Sequence, residues 1–301
     1  MTQTQLTPYT WGALLLLAAI WGGSFLAIRT ALDEIGPLTS VFYRTSIAAV
    51  FLWLVMLARH DVPKISSTLW IGFGGMGLLN NVIPFCLMAW GQLYIETGLT
   101  SILNASTAIF GVLVAALVFA DEKLTLRKTL GVGVGFIGVV VAIGPSNLLT
   151  FDITSTAQFA VIAGTFSYAL AGAWGRLRLG GLSALHASAG MLTASSIMMT
   201  PLMLIFEGVP SVDLAVSTWM GVLYFALIAT AAAYLLYYKV LALAGAGNLL
   251  LVTLLIPPVA IVLGALVRGE NLMPSAYLGF ALLALGLAIL DPRLTRRKRM
   301  V

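Results

Sequence analysis

Three asparagines stand inside long apolar stretches of the chain, where an amide is unusual. Asn80 and Asn81 precede Pro84, and Asn104 is followed two residues later by Ser106. An amide in apolar surroundings costs free energy unless it finds a hydrogen-bond partner. We therefore expect these side chains either to hydrogen-bond to a neighbouring helix or to line a cavity that binds a polar ligand.

Arg44 is the one basic residue well inside an apolar stretch. A long guanidinium side chain can extend to the nearer membrane surface or hydrogen-bond to another helix. It can also bind a carboxylate of the substrate. All three interpretations stay open at the level of sequence.

Aromatic side chains away from the ends of the apolar stretches are further candidates for a binding site. Trp21 stands beside two glycines and Ser24, and Tyr168 and Tyr234 lie at comparable depth in later stretches. Such rings often pack against other helices. They also suit small amphipathic organic ligands, because they offer a stacking face and a polar edge.

The sequence lacks the parts of a catalytic or metal site inside its apolar stretches. His60 and His186 fall near the ends of the stretches, and no Asp or Glu falls in the middle of one. General acid–base catalysis and metal binding need such groups together. We therefore expect no catalytic residue, bound metal or cofactor, and no membrane-embedded acid for proton coupling.

The composition excludes a soluble protein. Of the 301 residues, 60% are apolar and 9% are charged, whereas a soluble domain has roughly a quarter charged residues. The net charge of +5 owes much to a C-terminal tail with five basic residues between 293 and 299. Such a tail is typical of a membrane-surface anchor. We expect the lipid bilayer and a small-molecule substrate as partners, no nucleic acid, and function as a monomer.

Apolar runs long enough to span a membrane alternate with short charged or Gly/Pro-rich breaks. The sequence therefore predicts an all-α polytopic membrane protein with ten transmembrane helices. The predicted spans are 10–30, 38–58, 67–91, 98–119, 127–144, 157–175, 185–206, 216–238, 247–267 and 275–291.

The basic residues predict the orientation of the chain in the membrane, because Lys and Arg accumulate in cytoplasmic loops. Most of them fall in the tail and in the connections after the second, fourth, sixth and eighth spans, whereas Arg29 and Arg268 lie on the other side. Both termini are therefore expected in the cytoplasm. We expect the protein in the inner membrane of a bacterial cell.

An internal repeat emerges when the sequence is shifted along itself by 148 residues. The matched pairs are Glu122 with Glu270, Leu124 with Leu272, Gly131 with Gly279 and Gly138 with Gly286. The glutamate match is the informative one, because the chain has only five glutamates. Each repeat has five helices, an odd number, so the two repeats cross the membrane in opposite directions. Such inverted repeats are typical of transporters, with the substrate path near the midplane.

The order of these features resembles that of the drug/metabolite transporter superfamily, in its EamA-type branch of ten helices. The resemblance rests on residues 21–25 (Trp-Gly-Gly-Ser-Phe) and on Gly269, Glu270 and Leu272 with the glycines that follow. The first repeat departs from it by having Asp121 before Glu122. The resemblance implies one repeat at 1–145, a second at 153–291 and a cytoplasmic tail at 292–301.

The resemblance extends to YddG-type exporters of aromatic and related neutral amino acids. It implies a cavity lined by the first, third, fourth, sixth, eighth and ninth helices. These helices carry Trp21, Ser24, Asn80, Asn81, Asn104, Tyr168 and Tyr234.

Scarcity of internal charge favours a neutral or zwitterionic substrate, with Arg44 the candidate for its carboxylate. We therefore expect an exporter of small neutral or zwitterionic metabolites, above all aromatic or neutral amino acids, that works by alternating access. The alternatives are an exporter of lipophilic drugs or nucleoside-like compounds, and a membrane scaffold without transport activity.

Overall fold

The structure, a computed structural model, describes residues 7–62, 66–144, 152–244 and 251–290. Within these ranges it is all-helical and contains the ten expected helices. They are α1 (Pro8–Ala31), α2 (Pro37–Ala58), α3 (Ser67–Gly91), α4 (Thr97–Val118), α5 (Leu126–Ile143), α6 (Ile153–Arg178), α7 (Ala184–Phe206), α8 (Val216–Leu223, Tyr224–Ala232 and Ala233–Ala244 in succession), α9 (Leu251–Arg268) and α10 (Pro274–Leu290). The basic tail expected at 292–301 lies outside the described residues.

The outer surface of the bundle is apolar. By length and composition, α1 to α5, α7 and α8 can each cross a membrane, and the described parts of α9 and α10 are shorter apolar helices. Large apolar side chains stay exposed around the bundle, and they include Leu54, Ile71, Leu117, Ile197 and Leu266. So much exposed apolar surface suits contact with lipid chains rather than water. The protein is a polytopic membrane protein, as its composition predicts.

Side-chain caps set where several helices begin. Ser66 caps α3, Thr125 caps α5 and Ser183 caps α7, each by accepting a hydrogen bond from a backbone N–H of the first turn. Asp152 caps α6 in the same way, its Oδ1 lying 2.7 Å from the Ser155 nitrogen. This cap explains why α6 begins at Ile153, earlier than the expected 157.

Helices α5 and α10 meet through glycines in a two-fold pattern. A Cβ added to Gly131 would lie 2.8 Å from the Gly286 carbonyl oxygen, and one added to Gly138 would lie 2.8 Å from that of Gly279. The repeat equates Gly131 with Gly279 and Gly138 with Gly286. Gly131 thus contacts the counterpart of Gly138, and Gly138 contacts the counterpart of Gly131. This reciprocity is the mark of a two-fold axis. It relates the two inverted repeats within one chain.

Two equivalent helices are interrupted at equivalent positions. The stretch Leu78–Val82 of α3 is π-helical, with the Ile83 N–H donating to the Leu78 carbonyl, and Tyr224–Ala232 of α8 is also π-helical. Pro84 has no N–H to donate to the preceding turn, which favours the irregularity in α3. The sequence predicts a bend near Pro84 but no π-helix in α8.

Helix α4 is also interrupted, although the sequence predicts an unbroken span at 98–119. It consists of Thr97–Asn104 and Thr107–Val118, joined by a turn at Ala105 and Ser106. The Ser106 hydroxyl donates to the Leu103 carbonyl at 2.7 Å. This local hydrogen bond competes with the regular helical pattern and accounts for the break.

We call the end of the bundle where α1 begins and α10 ends the terminal face, and the opposite end the distal face. On the distal face, Glu207 at the end of α7 accepts hydrogen bonds from the backbone nitrogens of Leu38 (2.9 Å) and Thr39 (2.7 Å) at the start of α2. Two further contacts of this kind join Glu34 to the Ala215 nitrogen (3.0 Å) and Glu270 to the Gly98 nitrogen (3.3 Å). Carboxylates are stabilised at helix N-termini by the unpaired N–H groups there. These contacts join the two repeats across the distal face.

An ion-pair triad joins α1 to α9 on the same face. The Asp33 carboxylate accepts from Arg268 at 2.7 and 3.0 Å and from Arg29 at 3.1 Å. Hydrogen bonds from Arg268 lower the pKa of Asp33 below its ordinary value. A lowered carboxyl pKa stabilises the fold above the ordinary value, and this contribution is lost as the pH falls through the lowered pKa. The triad is therefore intact at neutral pH.

Replacing Gly138 with alanine tests the glycine contact between α5 and α10. The new methyl group would lie 2.6 Å from the Leu283 nitrogen and 2.8 Å from the Gly279 carbonyl oxygen, and backbone atoms cannot yield without separating the helices. We expect Gly138→Ala to lower the melting temperature of the purified protein by several degrees. Gly133→Ala is the matched control, since nothing lies within 4 Å of its added Cβ and alanine favours helix by about 1 kcal/mol. Equal melting temperatures for the two variants would contradict the contact.

Replacing Glu207 tests the contacts between the repeats on the distal face. Glu207→Ala removes the acceptor for two backbone N–H groups of α2, and loss of a helix cap costs roughly 1 kcal/mol. We expect a lower melting temperature for this variant. Asp213→Ala, in the same loop, should leave it unchanged, because the exposed Asp213 carboxylate accepts no hydrogen bond from the described residues. A Glu207→Ala protein as stable as wild type would argue against the cap.

Candidate functional site

A network of amides and hydroxyls joins α3, α7 and α8 in the middle of the bundle. The Asn81 side chain is fully buried, and its Nδ2 donates to Ser195 Oγ at 2.9 Å. The Tyr234 hydroxyl donates to Asn81 Oδ1 at 3.1 Å and accepts from Asn80 Nδ2 at 3.2 Å. Asn80, Asn81 and Tyr234 are thus brought together. Asn81 acts as an interhelical link, whereas Asn80 is only half-buried.

Arg44 reaches the same level of the bundle from α2. Its Nε donates to Thr230 Oγ1 at 2.8 Å, and the Thr230 hydroxyl in turn donates to the Phe225 carbonyl at 2.7 Å. Thr230 belongs to the π-helical part of α8, about halfway along that helix. The guanidinium therefore bonds to a neighbouring helix in the interior and does not extend to the membrane surface, which decides between two of the interpretations left open by the sequence.

The surroundings of Arg44 are aromatic. Its Cζ lies 3.8 Å from the centre of the Phe85 ring, and Tyr168 packs edge-on against Phe85 with 6.4 Å between ring centres. We call Arg44, Asn80, Asn81, Tyr168, Thr230 and Tyr234 the central polar cluster.

Arg44 has no counterion within the described part of the chain. The residue is 9% exposed, and among the described residues Nε is its one hydrogen-bonding nitrogen. Every described Asp and Glu lies in a connection or at a helix end. An unpaired cation in a low-dielectric interior is costly. The cluster thus holds a positive charge with free donors on its terminal nitrogens.

Trp21 of α1 hydrogen-bonds to α8 at the residue before Thr230. Its Nε1 donates to the Ala229 carbonyl at 3.1 Å, and its ring centre lies 5.8 Å from that of Tyr237. Ala229 belongs to the π-helical part of α8, whose irregular hydrogen bonding suits an additional donor. Trp21 therefore packs between α1 and α8 next to Thr230.

Among the described residues, neither Ser24 nor Asn104 forms a hydrogen bond with the central polar cluster. The Ser24 hydroxyl is buried and donates to the Trp21 carbonyl of its own helix at 2.7 Å. Asn104 ends the first part of α4, and its buried Oδ1 has no partner in the described ranges. The Asn104 carbonyl is thus buried without a partner among the described residues, whereas the Ser24 hydroxyl is already hydrogen-bonded.

Thr230 of the central polar cluster was not identified from the sequence. Neither were Phe85, which contacts Arg44, and Ser195, which accepts from Asn81. Thr230 lies in an alanine-rich run and Ser195 in a run of small residues, so neither stands out by type. Only Phe85, next to Pro84, had a local signal, because the proline marks an irregular turn.

The described ranges contain no group of three or more His, Cys, Asp or Glu side chains that could hold a metal ion. What the cluster offers is recognition: cationic donors from Arg44, an amide from Asn80, and phenol groups from Tyr168 and Tyr234. This chemistry suits reversible binding of a small organic molecule that carries an anionic group.

Three curated proteins align with nearly the whole chain. The "Uncharacterized transporter YoaV" of Bacillus subtilis is 24% identical over 93% of this chain and 95% of its own length. The "Probable terminal-alkyne amino-acid exporter" of Streptantibioticus cattleyicolor is 26% identical over 98% and 97%. The "Probable amino-acid metabolite efflux pump" of Salmonella typhimurium is 25% identical over 91% and 92%.

A solved crystal structure shares the fold, with a TM-score of 0.68, 18% identity and coverage of 96% of this chain and 99% of that one. The EamA-like transporter family matches this chain twice, at residues 10–144 and 155–290. The two matches fall on the two sets of five helices. The chain belongs to the EamA-like transporter family, and it is a membrane transporter rather than an enzyme.

Proposed function

We propose that this transporter exports small neutral or zwitterionic amino acids, aromatic ones included, and that Arg44 binds their carboxylate. The observation that carries the proposal is the buried Arg44 guanidinium, which has free donors and no carboxylate partner among the described residues. A bound carboxylate would neutralise this charge and accept hydrogen bonds from the terminal nitrogens. The carboxylate of the substrate would thus be the counterion that Arg44 lacks among the described residues.

The groups around Arg44 support an amino acid over a more highly charged anion. A phosphate or sugar phosphate is expected to need several cations, whereas Arg44 is the one Lys or Arg side chain buried in the described core. Asn80 offers an amide, and Tyr168 and Phe85 offer ring surfaces for an apolar or aromatic side chain. One carboxylate and one uncharged side chain match this inventory.

The names of two relatives agree with this substrate class. Both the Streptantibioticus protein and the Salmonella protein are named for the movement of amino acids or their metabolites. These names add weight to a proposal that rests on Arg44.

For transport, the inverted repeats would expose the cluster alternately to the two faces of the membrane. The distal face is joined by carboxylates that cap helices of the opposite repeat. These contacts would have to break for the distal face to open. We further propose a bacterial inner-membrane location with the terminal face in the cytoplasm, on the grounds of the basic residues in its loops, and function as a monomer.

Replacing Arg44 tests the proposal directly. In proteoliposomes we expect Arg44→Gln to raise the half-saturation concentration for L-phenylalanine counterflow by ~10- to 100-fold, since a hydrogen bond to a charged group is worth about 1.5–3 kcal/mol. Arg44→Lys should lie between that variant and wild type, because it keeps the charge but not the planar donors. Arg59→Gln, at the exposed end of the same helix, is the matched control and should behave as wild type.

The substrate panel for this experiment contains neutral, anionic and cationic amino acids together with uncharged lipophilic and nucleoside-like compounds. Saturable counterflow of the uncharged compounds that is indifferent to Arg44→Gln would replace amino-acid export with export of lipophilic or nucleoside-like molecules. Absence of any flux across the panel would favour a scaffold.

Replacing Tyr234 tests the hydrogen-bond network. Tyr234→Phe removes the hydroxyl that joins Asn80 to Asn81 while keeping the ring. We expect a several-fold rise in the half-saturation concentration for L-phenylalanine and a small drop in melting temperature, since loss of a buried hydrogen bond costs about 1 kcal/mol. Tyr277→Phe, on the exposed surface of α10, should change neither quantity. A Tyr234→Phe protein that transports like wild type would remove this network from the binding site.

A further inference from the structure

A polar pocket lies on the distal face, apart from the central polar cluster. Its volume is about 290 Å³, and it is lined by the α3–α4 connection, residues 92–96, together with Arg29, Arg268 and Glu270. Binding pockets for drug-sized molecules begin at about 300 Å³, so this space suits a smaller metabolite. It lies where α1, α3, α4 and α9 meet the distal surface.

Two arginines line one part of the pocket. Arg29 and Arg268 both bind the carboxylate of Asp33, and the Glu270 carboxylate also interacts electrostatically with Arg268. Each guanidinium keeps N–H groups that Asp33 does not accept from. A carboxylate from a ligand can therefore bind there without displacing Asp33.

Two glutamates, Glu96 and Glu270, also line the pocket. Glu96 makes no side-chain cap at the start of α4, although it occupies the capping position. The Glu270 carboxylate accepts one hydrogen bond, from the Gly98 nitrogen at 3.3 Å. Within the described ranges neither glutamate forms an ion pair at salt-bridge distance. Both remain able to bind an ammonium group.

Gln92 adds an unpaired acceptor to the wall of the pocket. The residue is fully buried, and its Nε2 donates to the Phe25 carbonyl of α1 at 3.0 Å, which fixes the orientation of the amide. Its Oε1 is buried and has no hydrogen-bond partner in the described chain. A buried carbonyl without a partner is costly, and an ammonium group is the donor that would satisfy it.

We propose that this distal pocket binds the zwitterionic head group of an amino acid as a second substrate site. The carboxylate binds Arg29 and Arg268, and the ammonium group binds Glu96, Glu270 and the Gln92 carbonyl. Tyr94, whose ring packs on Trp90 at 5.2 Å, provides a surface for the apolar side chain. The amino-acid class rests on the proposed function, but the site is independent of Arg44.

Equilibrium dialysis of the full-length purified protein with radiolabelled L-phenylalanine tests the second site. We expect wild type to bind two molecules per chain, Arg44→Gln to bind one, and Glu96→Gln to bind the distal molecule ~10-fold more weakly, as expected for loss of a charge-assisted hydrogen bond. Glu96 is exposed, so its replacement should not impair folding. Asp213→Asn is the matched control, since it removes one negative charge from the same face outside the pocket.

Two analogues test the zwitterion requirement. In the Arg44→Gln protein, 2-phenylethylamine lacks the carboxylate and 3-phenylpropionate lacks the ammonium group. Each should compete with L-phenylalanine at least ~10-fold more weakly than L-phenylalanine itself. Equal competition by either analogue would overturn the assignment of the group that it lacks.

The stoichiometries separate failure of the second site from failure of the proposed function. One molecule bound to wild type and none to Arg44→Gln would remove the distal site and keep the central one. One molecule bound to both proteins, and weakened by Glu96→Gln, would remove the central site and keep the distal one. No binding to either protein would overturn both.

Discussion

A guanidinium held in the interior of a membrane-spanning bundle needs acceptors that carry no charge of their own. Arg44 finds one in the Thr230 hydroxyl and a second favourable contact in the face of Phe85. Neither supplies a counterion, and the described acids are confined to connections and helix ends. The hydrogen-bonding network, the aromatic surroundings and the proposed substrate class all follow from this one uncompensated charge.

The two π-helical segments leave backbone carbonyls free to accept hydrogen bonds from side chains. In α8 the Phe225 carbonyl accepts from the Thr230 side chain, and in α3 the Leu79 carbonyl accepts from Ser167 of α6 at 2.7 Å. A π-helical turn alters which backbone groups pair within a helix, so neighbouring side chains can use them. The two π-helical segments occupy equivalent positions of the two repeats, and they carry Asn80, Asn81 and Thr230 of the central polar cluster. Within the described ranges, the polar centre around Arg44 thus consists of amide, hydroxyl and backbone groups and includes no carboxylate.

Much of this architecture could be predicted from the sequence, because lipid imposes simple rules on length and polarity. The ten helices follow from apolar runs, and the inverted repeat follows from the match of Glu122 with Glu270. The partners of Arg44 could not be predicted, because Thr230 lies 186 residues away and meets it only through packing between repeats. The Ser24 hydroxyl bonds to the preceding turn of its own helix, as serine hydroxyls in helices readily do, and its place in the binding site stays a prediction. Gln92 went unnoticed because its role depends on the Phe25 carbonyl of another helix.

The glycine contact between α5 and α10 has a consequence for motion. Side-chain interfaces can exchange one set of rotamers for another, whereas a surface of bare backbone, such as that between Gly138 and Gly279, has no rotamers to exchange. Such a contact tolerates little sliding, which favours α5 and α10 moving together as one unit. In the proposed alternating-access cycle, the other helices of each repeat would then move relative to this pair, which lies at the two-fold axis relating the repeats.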